Sequence, residues 1–369
     1  MILYLVINAL FVLKYTDRLA FVNHYFVTFG YVGLLVAIYF LIQKYKSTIN
    51  TFKNFNLLGY TSFLLFFAGI LFINFKIDGL TLNSDRWSAL EIFIQSILKG
   101  NYPYAVLDHL DNTTSNLPSL FYIGLPFYLL GDVGYLQAFV FFAIILSVFL
   151  AKIDKQQKLF LFLLIILSPA YFWEVFAKSD LLSNTFLVLL FIYIWQQKYG
   201  QHVFEKVMFL AFFAMFFALT RGTVVIPLTL FLFHGFVKLK IKNQIKFIFW
   251  LLFFGVLISL PILWNLPNLA FIKEHNPFNH QTKYAPTPLI LLTILLPFYY
   301  AFKVKKNSDV FLYTTYILGG LMLITFILNA FEEGFNANLY NSLFDISYLS
   351  IAIPSIFFYF LSKFKEQLS

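Results

Sequence analysis

Long apolar runs broken by short polar stretches set the pattern of the chain. A helix needs roughly 20 apolar residues to cross the hydrocarbon of a bilayer, fewer where flanking aromatic rings and lysines reach the interface. Twelve segments are candidates: residues 1–13, 25–43, 57–75, 134–151, 158–175, 181–197, 205–220, 223–238, 245–264, 288–302, 309–329 and 345–361. The first has no basic region ahead of it and no small-residue cleavage site, so it reads as a retained span and not a signal peptide. The apolar piece 118–130 is short and bracketed by Pro118 and Gly131, which predicts an interfacial or re-entrant helix. The pattern thus predicts an all-α polytopic membrane protein of about 12 transmembrane helices, with residues 1–369 forming one integral unit. No internal repeat or linker divides it.

The longest polar interruption runs from Asn83 to Leu117 inside a loop over residues 76–133. Here Ser84 is placed to N-cap a helix whose apolar positions Trp87, Leu90, Ile94 and Ile97 recur at helical spacing, and Gly100 with Pro103 stops it. The result is an amphipathic juxtamembrane helix with Asp85 at its N-terminus. The helix dipole and free backbone amides there keep a carboxylate ionised and able to act as a base. Capping the helix, or pairing with Arg86, is the structural alternative.

Lysines fix the side on which this loop lies. If the loop carrying Lys44, Lys46 and Lys53 is cytoplasmic, alternation of the spans puts 17 of the 26 basic residues on that side and 13 of the 17 acids on the other. Counting 118–130 as a full span would destroy that asymmetry. Both termini are therefore expected inside, and the 76–133 loop outside. Three further outer stretches, Tyr171–Asp180, Asn265–Thr287 and Ala330–Asp345, are expected to meet it there.

Composition narrows the class. The chain is 60% hydrophobic and 12% charged, against about 25% charged in soluble domains. Its 51 Phe and 23 Tyr supply lipid-facing bulk and interfacial anchors. With no cysteine there is neither a disulfide framework nor a thiolate metal site. The net charge of +9 follows from basic cytoplasmic loops, so no nucleic-acid partner is implied.

Other candidates follow along the chain. Asn101-Tyr102-Pro103-Tyr104 is a rigid aromatic turn suited to stacking on a sugar ring or to anchoring at headgroup level. Asp108, His109 and Asp111 offer oxygen and imidazole ligands for a divalent cation, although a solvated loop explains them better. Asn112-Thr113-Thr114 matches a glycosylation acceptor. In the second outer stretch Glu174 and Lys178 stand i and i+4, the spacing of a private helical ion pair. Asp180 has no such local partner. Arg221 is the only arginine after Arg86, and in a chain that otherwise uses lysine it suggests a planar anion, phosphate or carboxylate.

These residues, in this order, resemble the membrane glycosyltransferases of the C superfamily (GT-C), which take sugars from polyprenyl-phosphate carriers. The likeness rests on Ser84-Asp85-Arg86-Trp87, on Lys99-Gly100-Asn101-Tyr102-Pro103-Tyr104, on Leu117-Pro118-Ser119-Leu120 through Leu129-Leu130-Gly131, and on Ser168-Pro169 followed by Lys178-Ser179-Asp180. It covers roughly residues 57–230. Two spans precede the usual first one, the first-loop acid is followed by Arg86 and not by a second acid, and Asn116-Leu117-Pro118 stands where some relatives have His-Pro-Pro.

The resemblance implies a glycosyltransferase of the bacterial cytoplasmic (inner) membrane. Asp85 would be its general base, with Arg86, Tyr102, Tyr104, Glu174, Lys178, Asp180 and Arg221 holding the substrates. The donor would be a polyprenyl-phosphate sugar, and a glycan or lipid-linked acceptor would receive the sugar beside the membrane lipids. No cofactor is required by this scheme; a divalent cation would fall to Asp108, His109 and Asp111. A surface-polysaccharide polymerase or ligase would rely on arginines in a late outer loop, and none is present. A lipid or polysaccharide transporter would show charges in mid-span and matched, interrupted halves.

Overall fold

The computed structural model describes residues 1–19, 21–200, 202–264, 266–278 and 285–367. Asn265 and residues 279–284, part of the third expected outer stretch, lie outside the described residues. Every predicted apolar segment falls on a helix, and among the described residues the only β pairing is an isolated bridge between Leu107 and Thr113. The architecture is that of a helical membrane protein. Among the described residues five helices are long and apolar enough to cross a membrane, His24–Lys44 (α2), Phe55–Lys76 (α4), Ile241–Leu263 (α13), Asn307–Glu333 (α16) and the run Ile346–Glu366, whose regular part is Ala352–Glu366 (α18). A bent pair, Lys155–Ile166 (α8) and Pro169–Phe176 (α9), makes a sixth if taken as one span.

The other expected spans form shorter helices: Ile2–Thr16 (α1), Tyr135–Leu150 (α7), Val207–Ala218 (α11), Val225–Val237 (α12) and Thr287–Ala301 (α15). Leu181–Tyr199 (α10) is long enough, but Ser183, Asn184, Gln196 and Gln197 dilute its apolar character. Short helices complete the order: Lys46–Thr51 (α3), Arg86–Leu98 (α5), Pro118–Leu129 (α6), Leu269–Glu274 (α14) and Phe335–Leu339 (α17).

Burial divides the helices by solvent. In α2 only Leu35 and Ile42 are buried, while Phe26 and Phe29 are more than three-quarters exposed. An outer helix whose apolar rings have no protein partner is what a lipid surface requires, because lipid tails solvate them. By contrast α10 and α18 are buried along most of their lengths, and Phe186 of α10 packs edge-on against Phe357 of α18 at 5.7 Å.

The segment 158–175, read from sequence as one span, is broken. At Leu167-Ser168-Pro169 the axis bends by 52°. Proline at the first helical position cannot continue the preceding ladder, and Ser168 caps the new helix by accepting from the Tyr171 amide. A break inside apolar surroundings leaves backbone groups in need of partners, and α1 and α2 supply them. Tyr4 donates its hydroxyl to the Leu164 carbonyl at 2.8 Å and Tyr31 to the Leu167 carbonyl at 2.9 Å. Asn8 accepts from the Ser168 hydroxyl at 2.7 Å and from the Ala170 amide at 3.2 Å. The two N-terminal helices thus hold the bend that aims α9 at the site.

The stretch 118–130 forms the short helix α6. Its start is tied to the end of α11 by Ser119 N donating to Leu219 O at 2.9 Å. Just beyond its end, Asp132 accepts from the indole of Trp87 at 2.9 Å.

Candidate active site

Where α1, α5, α9 and the connections around residues 112–116, 221 and 342–348 converge, they enclose a cavity of about 710 Å³. Its lining is polar, and among the charged groups in it are Lys14, Arg18, Asp85, Arg86, Asp180, Arg221 and Asp345. Two of the stretches expected on the outer side meet the first loop here, through Trp173, Phe176 and Asp180 of the second and Ser342 and Asp345 of the last.

Helix α5 begins one residue later than Ser84 would place it. Asp85 is its N-cap by position, its carbonyl accepting from the Ala89 amide at 2.7 Å, but its side chain makes no capping hydrogen bond. The expected cap, Ser84, is correspondingly outside the helix. Nor does Asp85 pair with its neighbour. Arg86 instead reaches Asp345, 259 residues away, at 2.5 Å, and its guanidinium stacks 4.8 Å from the Tyr348 ring. The Asp85 carboxylate therefore faces the cavity with no ion pair among the described residues. The far end of α5 follows the sequence: Gly100 adopts φ 73°, and Asn101 N bonds back to Ser96 O at 2.8 Å, a glycine C-terminal closure.

Asp180 and Arg221 form the buried centre of the site. Arg221 Nη2 donates to Asp180 Oδ1 at 2.6 Å and its Nε to Oδ2 at 3.2 Å, a bidentate fork. Its Nη2 also reaches Asn116 Oδ1 at 3.1 Å, and Asn116 donates to the Ala89 carbonyl of α5 at 3.1 Å. The planar anion that an isolated arginine suggested is thus a carboxylate of the protein itself.

Asp180 is free for this pairing because another acid caps its helix. Glu174 Oε1 accepts from the amides of Leu182 and Ser183 at 2.9 Å each, two of the unpaired donors at the start of α10. Fully buried, Glu174 lies behind the cavity wall. The expected i, i+4 pair with Lys178 does not form. Lys178 has φ 49°, which turns its side chain to Asp132, with which it makes an ion pair.

The aromatic turn also lies apart from the cavity. Tyr104 is buried against Phe93, and Tyr102 packs edge-on to Tyr104 at 5.4 Å and to Phe271 at 6.1 Å. These rings brace α5 against α14, and neither lines the chamber. The candidate cation ligands separate as well. Asp108 accepts from the Leu110 and Asn112 amides and from Ser88, His109 Nε2 pairs with the Leu82 carbonyl at 2.9 Å, and Asp111 is an exposed turn residue with φ 59°. Together they close a hairpin turn, and among the described residues no three His, Cys, Asp or Glu side chains cluster as a metal site.

Sequence reasoning missed Lys14, Arg18, Asn116, Asp132, Asp345 and Tyr348. Only Asn116 had a signal, its place directly before Leu117-Pro118. On α5, Glu91 shares its surroundings with Asp132 and Lys178. Burial, and then the Asp132 charge, push its carboxyl up to about 7 against the pull of Lys178. The folded chain thus holds this proton more tightly than the unfolded chain. Its contribution to stability is complete below about 4.5 and is lost as pH rises to about 7. Glu91→Gln is therefore expected to melt like the wild type at pH 4.5, with an advantage that grows to about pH 7 and is level above. Melting curves of detergent-purified protein from pH 4.5 to 8.5 check this, and a pH-independent difference would contradict it.

No protein-family model matches the chain, and no curated protein or solved structure matches it.

Proposed function

We propose that the protein is a membrane glycosyltransferase that moves a sugar from a polyprenyl-phosphate carrier to a glycan or lipid-linked acceptor on the outer face, in a GT-C-like frame of about 12 membrane helices. One observation carries the reading. The polar cavity holding the unpaired Asp85 carboxylate shares the ring of Tyr348 with an apolar chamber of about 380 Å³, lined by α12, α15 and α16. A substrate with a charged head and a hydrocarbon tail fits two such chambers placed side by side.

In this scheme Asp85 takes the proton of the acceptor hydroxyl as its oxygen bonds to the anomeric carbon. The bond from that carbon to the phosphate oxygen breaks, and its electron pair leaves with the polyprenyl phosphate. Phosphate needs charge stabilisation more than protonation as it leaves. The Arg86 guanidinium, beside Tyr348 at the junction of the chambers, is placed to give it. Arg221 acts indirectly, by fixing Asp180 and Asn116 in the wall.

The test is the lipid-linked product profile of membranes with and without the protein. A polyprenyl-phosphate sugar should be consumed, and a glycosylated product formed, only where the protein is present; identical profiles would overturn the assignment. Topology gives a second check, made simple by the absence of native cysteine. Cysteines placed at Asn112 and at Gly131 are expected to react with an impermeant maleimide from the outer side. Labelling of either one only from the cytoplasmic side would remove the outward-facing site.

A further inference from the structure

The cations of the cavity are not equivalent. Arg86 is paired with Asp345 and Arg221 with Asp180, so each of these acids is matched. Lys14 and Arg18, on the last turn of α1 and just beyond it, make no ion pair among the described residues. Lys14 is only 5% exposed, yet it lines the chamber. Arg18 lies with its guanidinium 4.8 Å from the ring of Tyr15, which also lines it. Besides each other, the charged group that bears on Lys14 is Asp345, already engaged by Arg86. A buried ammonium without a counterion is costly unless a ligand supplies one.

Position says which substrate that is. The apolar chamber adjoins the polar one at Tyr348, and no residue of α1 lines it. Lys14, Tyr15 and Arg18 form a wall of the polar cavity contributed by α1 alone. We infer that Lys14 and Arg18 bind an anionic group, phosphate or carboxylate, on the acceptor glycan, so that the enzyme glycosylates acidic acceptors. The inference rests on the proposed transfer reaction for the word acceptor, but not for the anion site itself. Tyr15 and Trp173, on adjoining walls, give the sugar ring carrying that charge an aromatic face.

The experiment measures binding to purified protein in nanodiscs, with glucose, glucose 6-phosphate and glucuronate as soluble probes and a polyprenyl phosphate in the bilayer as the carrier probe. Wild type should bind the two anionic sugars and not glucose. Lys14→Gln and Arg18→Gln should each weaken anionic-sugar binding at least about tenfold, the share of a charge-assisted contact, and leave the polyprenyl phosphate affinity unchanged. Arg18 is exposed, so Arg18→Gln remains informative if the buried Lys14→Gln does not fold. Equal binding of glucose and its charged analogues would overturn the inference. So would variants that lose the polyprenyl phosphate and keep the sugars, since the cations would then serve the carrier. Anionic sugars bound through α1 without any transfer from polyprenyl carriers would instead remove the glycosyltransferase reading and leave the anion site standing.

Discussion

Replacing Asp85 by Asn is expected to lower sugar transfer by about 10² or more, the usual share of general-base catalysis, while leaving the protein folded. The geometry separates the two effects. The Asp85 side chain makes no capping hydrogen bond and no ion pair among the described residues, and only its charge bears on Arg86, so an amide of the same size removes a proton acceptor without breaking a hydrogen bond of the fold. Asp108→Asn and Asp111→Asn serve as loop controls. Asp108 holds the hairpin turn through backbone amides, and Asp111 is exposed, so both should transfer at nearly the wild-type rate per folded molecule. Rates must be compared at matched abundance in the membrane. Near-normal transfer by Asp85→Asn would show that the base is another group.

The helices were legible because hydrocarbon thickness and apolar run length are local properties. So was the end of α5, where Gly100 must take a positive φ. The N-cap of that helix was misplaced by one residue, within the ordinary uncertainty of helix ends. What could not be read is pairing across the sequence. Arg86 finds Asp345 and not its neighbour Asp85, a choice that depends on how the last membrane helix packs. The bend at Ser168-Pro169 was hidden because both halves are apolar and together have the length of a span. Its support came from Tyr4, Asn8 and Tyr31, which in the sequence are ordinary residues of two hydrophobic runs. Arg221 shows both sides of this: its residue type announced a planar anion, but only the fold shows that the anion is Asp180.

That pair carries the second large expectation, and it concerns stability. Asp180 is 1% and Arg221 8% exposed, so removing either partner leaves a charge buried without its counterion, at a cost of about 3–5 kcal/mol. Asp180→Asn and Arg221→Ala are each expected to unfold at markedly lower temperature in detergent and to accumulate poorly in membranes. The loss should spread, because Arg221 also holds Asn116, which is bonded to α5 at Ala89. The double variant Asp180→Leu, Arg221→Met removes both charges while keeping most of the volume. It should therefore melt above either single variant, since a buried ion pair is stabilising mainly against the loss of one member. Such a non-additive recovery of folding, with transfer recovering alongside it, would mark the pair as the frame of the site and not as part of its chemistry. Single variants that melt like the wild type but fail to transfer sugar would give Asp180 or Arg221 a direct part in the reaction.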